Sequence, residues 1–385
     1  MTIKTKTTWR KVKLGELADI TSSKRIYLSD YVKQGVPFFR SKEIIEKHES
    51  QKTSTELYIS EEKFKKIKEV FGAPIEKDLL LTSVGTIGIP YLVKKDDYFY
   101  FKDGNLIWFR NFRNCNPKFI YYWFESCFGK EAVNSITIGS SQSAITIIGL
   151  KNLEIFLPSF NEQKRIVSIL SAFDDKIELN NKISRTLEQM AQAIFKEWFG
   201  KNEKLKTKSE KLPKGWEIKN IMEIIERLSV GKKYDNKTAL PKRKVPILDQ
   251  GQSGIIGFHN EEPSVKASTK NPVAVFSNHT CYYRLITYDF SCIQNVIPYI
   301  GINGYPTLFV YYLTRGKIKM GDYKGHWPEF AVQKFIIPPK ELAIKFSEKI
   351  QPLIELMNNN KKENQKLASL RDLLLPKLMS GEIRV

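Results

Sequence analysis

NEQKRIVSILSAFDDKIELNNKISRTLEQMAQAIFKEWFG, residues 161–200, contains no proline, and no glycine before its last position. Apolar or small residues recur along it in alternating steps of four and three: Ile166, Leu170, Phe173, Ile177, then Asn180 and Ser184, then Leu187, Ala191, Ile194 and Trp198. That spacing is a heptad seam and predicts a helix packed lengthwise on another helix. Ser159 and Glu162 form an S-x-x-E capping box at its start, and Gly200 is placed to end it. At about 1.5 Å per residue the helix would span roughly 57 Å, too long for an ordinary core.

Adding 180 to each seam position gives Phe346, Ile350, Leu353, Met357, Asn360, Asn364, Leu367, Arg371, Leu374 and Leu378. Every position keeps its residue class except Arg371, which replaces Ala191. Both copies carry polar residues at the same central positions, and a buried Asn fixes register at some cost in stability. The two seams are therefore expected to zip together as an antiparallel coiled coil. The alternative, two unrelated amphipathic helices on separate domains, leaves the matched seam unexplained. Pro352 and Pro376 lie inside the second copy and predict a bend or a late start there.

The segments ahead of each helix also correspond. Trp9, Leu14 and Leu17 match Trp216, Ile221 and Ile224; NPKFIYYWF (116–124) resembles YPTLFVYYL (305–313), and IFLPS (155–159) resembles FIIPP (335–339). The shift falls from 207 to 180 residues along the repeat, which makes the second copy 27 residues shorter. KNEKLKTKSEKLPKG (201–215) reads as an exposed linker. The expected order is a first domain (1–160), a long helix (161–200), the linker, a second domain (216–340) and a C-terminal helix (341–385). DLLLTSVGTIGIPYLV (78–93) and PVAVFSNHTCYYRLI (272–286) read as strands broken by turns, and the YY-containing segments as short helices. The fold class is α+β: two α+β domains in a pseudo-twofold arrangement, separated by the paired helices.

A net charge of +20, from 62 Lys and Arg against 42 Asp and Glu, points to a polyanionic partner, nucleic acid ahead of an acidic membrane. The four cysteines show no CxxC spacing, the N-terminus lacks the apolar segment of a signal peptide, and no apolar run reaches the ~18 residues of a membrane span. A cytoplasmic location is expected. There is no phosphate loop, no G-x-G-x-x-G after a strand, and no metal-ligand spacing among the four histidines. Pro338-Pro339 lies between Ile337 and Lys340, not in the Asn/Asp-Pro-Pro-aromatic setting of an amino-methyltransferase. No catalytic residues and no metal site are expected. Two unlike basic domains on a rigid spacer would read two different short sites and ignore the base pairs between them.

This organisation resembles the specificity subunit of type I restriction–modification enzymes. W-x-x-V-x-L-G-E-L-A at Trp9–Ala18 and LPxGW at Leu212–Trp216 match the family's domain starts. NEQKRIVSILSAFDDKIELN resembles its central conserved helix, with Glu162, Gln163, Ile166, Leu170, Asp175 and Ile177 in register, and LRDLLLPKLMSGEI (370–383) its closing segment. PPKELAIKFSEKI (338–350) lacks the family's E-Q pair, so the second helix is expected to begin with different packing. The resemblance implies a non-catalytic reader of an asymmetric two-part target in double-stranded DNA. Two methyltransferase subunits, which use S-adenosylmethionine, and motor-nuclease subunits, which use ATP and magnesium, would then methylate adenine N6 and cleave.

Residue types suited to phosphates and base edges sit in loop-like segments of both domains. In the first domain these are Lys24, Arg25, Arg40, Lys42, Thr82, Ser83, Ser140, Ser141 and Gln142. In the second they are Lys232, Lys233, Tyr234, Gln250, Gln252, Asn278, Lys324 and His326. Competing readings are an autonomous repressor-like duplex binder, an RNA or single-strand binder, and a purely structural coiled coil. The last gives no reason for two basic domains.

Overall fold

The computed structural model describes residues 9–51, 53–139, 143–203, 212–251, 254–321 and 324–385. The chain divides into two compact units, Met1–Lys176 with Lys366–Val385, and Ile177–Gln365.

Each unit is closed by a pair of antiparallel strands. In the first, Arg10–Lys13 runs against Glu154–Leu157, with Arg10 opposite Leu157. In the second, Glu217–Asn220 runs against Lys334–Ile337, with Glu217 opposite Ile337. The entering strands differ by 207 residues and the leaving strands by 180, the values read from the sequence.

Between these strands lies the same antiparallel four-stranded sheet in both units. Its spatial order in the first is Asp19–Thr21, Leu106–Arg110, Leu79–Thr82, Pro90–Leu92; in the second it is Ile225–Arg227, Val296–Gly301, Val273–Ser277, Tyr283–Ile286. Register repeats as well as order. Trp108 lies opposite Thr21 on one side and Leu80 on the other, and Tyr299 lies opposite Arg227 and Ala274 in the same way. A one-residue slip would turn every side chain to the opposite face, and the central strands are packed on both faces, so register is held strictly.

A second sheet repeats in part, three strands in the second unit and four in the first, where Tyr31–Val32 is added beside Tyr58–Ile59. Val36–Phe39 pairs antiparallel with Tyr58–Ile59 and parallel with Tyr100–Phe101. Val245–Leu248 pairs antiparallel with Ile255–His259 and parallel with Ser291–Cys292. The first unit adds the helix Glu61–Phe71 after this sheet's middle segment, and no helix is assigned at the corresponding place in the second. The YY segments are helices, Pro117–Glu125 and Thr307–Thr314.

The central helix spans Phe160–Glu203 and the C-terminal helix Lys340–Met379. They pack together antiparallel. In the first unit Ile166 and Leu170 share a core with Leu375, Leu378 and Met379. In the second, Ala191, Phe195 and Phe199 share one with Phe346, Ile350 and Ile354. The polar centre of the seam is reciprocal: Asn180 Nδ2 donates to Asn364 Oδ1 at 2.9 Å, and Asn360 Nδ2 to Ser184 Oγ at 3.2 Å. Arg371, the one break in class, has a partner of its own, Asp174, at 2.7 Å.

Three expectations need correction. Gly200 does not end the central helix, because its φ is not among the positive values that terminate one, and helix continues to Glu203. The C-terminal helix runs unbroken through Pro352 and Pro376. Pro352 and Glu348, whose carbonyl loses its donor, both face solvent, where water can satisfy that oxygen. The buried line also drifts off the strict heptad: Phe195 and Phe199 are buried, while Ile194 and Trp198 pack beside them half-buried. A straight helix has 3.6 residues per turn, so a 3.5-residue seam rotates away from its partner. The remaining seam residues, including Phe173, Ile177, Leu187, Leu353, Met357, Leu367 and Leu374, are buried or half-buried.

Candidate nucleic-acid interface

In the first unit the separate candidate loops meet around one turn, Lys102–Asn105. Ser22 Oγ and Ser23 Oγ donate to the carbonyls of Leu106 and Phe101 at 3.3 and 2.7 Å. Ser41 Oγ donates to the Asn105 carbonyl at 3.2 Å, and Ser83 donates from Oγ to Gly104 O at 3.0 Å. The Ser83 turn in turn receives the loop before the last strand: Gly85 N–H donates to Ser143 O, and Ile145 N–H to Ser83 O. Residues 22–25, 39–42, 82–83 and 143 thus lie around a single hairpin end.

The second unit does the same around Ile293–Asn295. Tyr234 bridges to Ile293, and Ile293 N–H donates to Leu248 O at 3.0 Å, just before Gln250. Asn278 N–H donates to Asn295 O at 2.8 Å. Gln250 Oε1 accepts from His279 N–H at 2.9 Å, and Asn278 Oδ1 from Trp327 N–H at 2.7 Å. Gly104 and Asn295 occupy equivalent places in the sheet, and both have left-handed backbones, φ 74° and 67°. Glycine takes that conformation without strain, and asparagine tolerates it better than most residues.

Four candidate contacts, Thr82, Ser83, Tyr234 and His326, are buried and help build the loops. Thr82 Oγ1 accepts from Ile89 N–H at 2.9 Å, and Ser83 is held as described. Tyr234 stacks on His259 at 4.3 Å, its hydroxyl between His259 Nδ1 and Glu261 Oε2. His326 precedes the short helix Trp327–Ala331, with Nδ1 3.0 Å from Glu329 Oε2. Ser140, Ser141, Gln142 and Gln252 lie outside the described residues.

Of the cations, Lys232 pairs with Glu261 at 2.5 Å, Lys324 with Glu329 at 2.6 Å, and Lys42 stands 4.0 Å from Glu46. Lys24 lies over the Phe71 ring at 4.7 Å, and Lys233 is exposed. Arg40 closes on the buried carboxylate of Glu43. Burial pushes that carboxyl up, but hydrogen bonds from the Arg40 side chain and backbone outweigh it and hold the group below its ordinary value. His259 is buried, and loss of water lowers its pKa and favours the neutral ring. That ring accepts the Glu261 N–H at Nδ1 and meets Ser291 Oγ at Nε2.

The hubs themselves, Asp103–Asn105 and Asn295, were not among the residues singled out from the sequence. Asp103-Gly104 is a hairpin-turn dipeptide, and that signal was available; Gln294-Asn295 carries a weaker one. All four cysteines are free. Among the described residues no group of three His, Cys, Asp or Glu side chains is placed to hold a metal ion, and no helix is long and apolar enough to cross a membrane.

Residues 6–189 match the family described as type I restriction modification DNA specificity domain. The MjaIX type I restriction enzyme specificity subunit of Methanocaldococcus jannaschii is 28% identical over 345 residues, covering 80% of this chain and 78% of the relative. The HindI specificity subunit of Haemophilus influenzae is 21% identical over 341 residues, covering 62% of this chain and 71% of the relative. The crystal structure of a type I restriction–modification system S subunit from M. genitalium superposes with a TM-score of 0.58, at 20% identity and 98% coverage of each chain.

Proposed function

The chain belongs to the type I restriction–modification DNA specificity family, and from that footing we propose that it reads an asymmetric, two-part target in double-stranded DNA for catalytic partner subunits. One observation carries this reading: a single sheet frame, repeated strand for strand and in register, holds two differently composed sets of loops around equivalent turns. A repressor with two identical half-sites would need identical loops. The net charge of +20 supports a polyanionic target.

Each globular part reads one half of the target. The two long helices, each continuous through both units, set the length of the unread spacer. Two methyltransferase subunits supply S-adenosylmethionine and methylate adenine N6; restriction subunits supply ATP-driven translocation and magnesium-dependent cleavage. None of this chemistry is assigned to residues of this chain.

Mapping N6-methyladenine across the host genome tests the reading. It should show a two-part motif that vanishes when the gene is deleted. Replacing residues 22–150 with the matching region of another such subunit should rewrite one part and leave the other intact. A change in both parts, or a motif without two parts, contradicts the proposal.

A further inference from the structure

Two arginines stand among the gathered loops of the first unit, and they are held in opposite ways. Arg40 spends its guanidinium on Glu43, with Nη2 2.8 Å from Oε1 and Nε 3.5 Å from Oε2. Arg25 is engaged at Nε alone, which donates to Asp103 Oδ2 at 2.7 Å. Its side chain is 66% exposed and that of Asp103 17%. Its two terminal amino groups make no hydrogen bond among the described residues.

Both ends of this pair are mounted on the same backbone. Lys24 N–H donates to the hydroxyl of buried Tyr100 at 2.8 Å, and Ser23 Oγ to Phe101 O. Asp103 itself lies in the turn that Ser41 and Ser83 hold. A planar guanidinium gripped at Nε has lost much of its rotamer freedom before any ligand arrives. What it offers is a fixed fork of two parallel donors.

We infer that Arg25, oriented by Asp103, reads a guanine in the major groove of the first half of the target. The fork matches the O6 and N7 acceptors that guanine alone presents together on that edge. A phosphate would also accept a fork, but the fixed carboxylate 2.7 Å away cancels the arginine's charge and would itself be repelled by the DNA backbone. A neutral, oriented pair favours a base edge over a phosphate. At the equivalent place in the second unit Gln294 replaces Asp103, so the device belongs to the first half-site only.

The inference rests on the DNA-reading function proposed above, and the test separates the two. The full chain, assembled with its host methyltransferase subunits, is given a duplex library holding its motif and every single-base departure from it. If the wild-type assembly methylates no two-part motif, the functional reading fails and this inference with it. A two-part motif with no guanine in its first part overturns the inference alone. Otherwise Arg25→Ala should lose discrimination at one guanine of the first part by about 5- to 150-fold, the value of one bidentate base contact, and leave the second part unchanged. Arg25→Lys, which keeps the charge and loses the fork, should relax the same position, and Asp103→Asn should relax it less. Unchanged discrimination overturns the inference. So does even weakening at every position with the salt slope reduced by about one, the mark of a phosphate contact. Complete loss of methylation does so as well, since it exceeds what one base contact can supply.

Discussion

The two globular parts share a frame and differ in how their loops are fastened. In the first, serine hydroxyls hold the loops to the central turn, and two arginine–carboxylate pairs, Arg25 with Asp103 and Arg40 with Glu43, stand beside them. In the second, side-chain amides take that place: Gln250 and Asn278 accept backbone N–H donors, and a buried His259 stacks under Tyr234, beside the ion pairs Lys232–Glu261 and Lys324–Glu329. The helix pairing differs too, aliphatic around Leu170 and Leu378, aromatic around Phe195, Phe199, Phe309 and Phe346. Register and strand order are set by burial and must be kept together, whereas a loop needs only that its backbone donors and acceptors be satisfied, by whatever chemistry is at hand.

The aromatic end offers the largest effect. Phe346 is fully buried among Phe195, Phe199, Phe309 and Tyr312, so Phe346→Ala should cost about 3–5 kcal/mol in urea unfolding of the full chain. Leu378→Ala, in the aliphatic end, should cost about 2–5 kcal/mol. A smaller cost for Phe346→Ala than for Leu378→Ala would show that the aromatic end is not the stronger of the two.

A smaller effect is expected where each unit fastens its short helix to the central one. Asp174 accepts from Tyr122 Oη at 2.6 Å and from Arg371 at 2.7 Å. Glu188 does the same for Tyr312, at 3.1 Å, and for Arg315. Asp174→Ala leaves the buried Tyr122 hydroxyl without its acceptor and the half-buried Arg371 with Asp372 alone, and should destabilise by about 1–3 kcal/mol. Glu188→Ala should do likewise; a difference in sign between the two would break the parallel.

The smallest effect is a pH dependence confined to the second unit. Burial lowers the His259 pKa, so the unfolded chain binds that proton more readily than the folded one. Stability from the neutral ring is therefore fully present above the ordinary histidine value of 6.5 and is lost as pH falls from there towards the folded value. Melting temperatures of the wild type and His259→Gln between pH 8 and 5 should diverge in slope below about pH 6.5. Parallel slopes would show that the buried ring carries no such linkage.

Much of the frame was legible because it repeats. A seam matched at a shift of 180 names both long helices at once, and Asn180 and Asn360 sit where that seam placed them. Phe195 and Phe199 were missed because a heptad count accumulates an angular error along a straight helix. The Gln163 contact shows a subtler limit. Its Nε2 donates to Pro158 O at 3.0 Å, and at the matching place Tyr305 Oη donates to Pro338 O at 3.2 Å. The second helix lacks the E-Q pair, yet a residue from a different element fills the same carbonyl, which no local pattern could announce. The candidate loops were legible by residue type, but Thr82, Ser83, Tyr234 and His326 turn inward. A hydroxyl or ring nitrogen declares that it will hydrogen-bond, not in which direction.

The closing strands have one more consequence. Since Val12 lies opposite Ile155, and Ile218 opposite Ile336, everything between entrance and exit is a cassette whose two ends are sewn side by side. Closing a longer cassette costs only about 0.6 kcal/mol per doubling of length. The two natural cassettes differ by 27 residues, from shifts of 207 and 180, yet each is closed by a ladder of four paired residues. Recombination at these seams could trade one inherited vocabulary for another while the rest of the chain stays as it was.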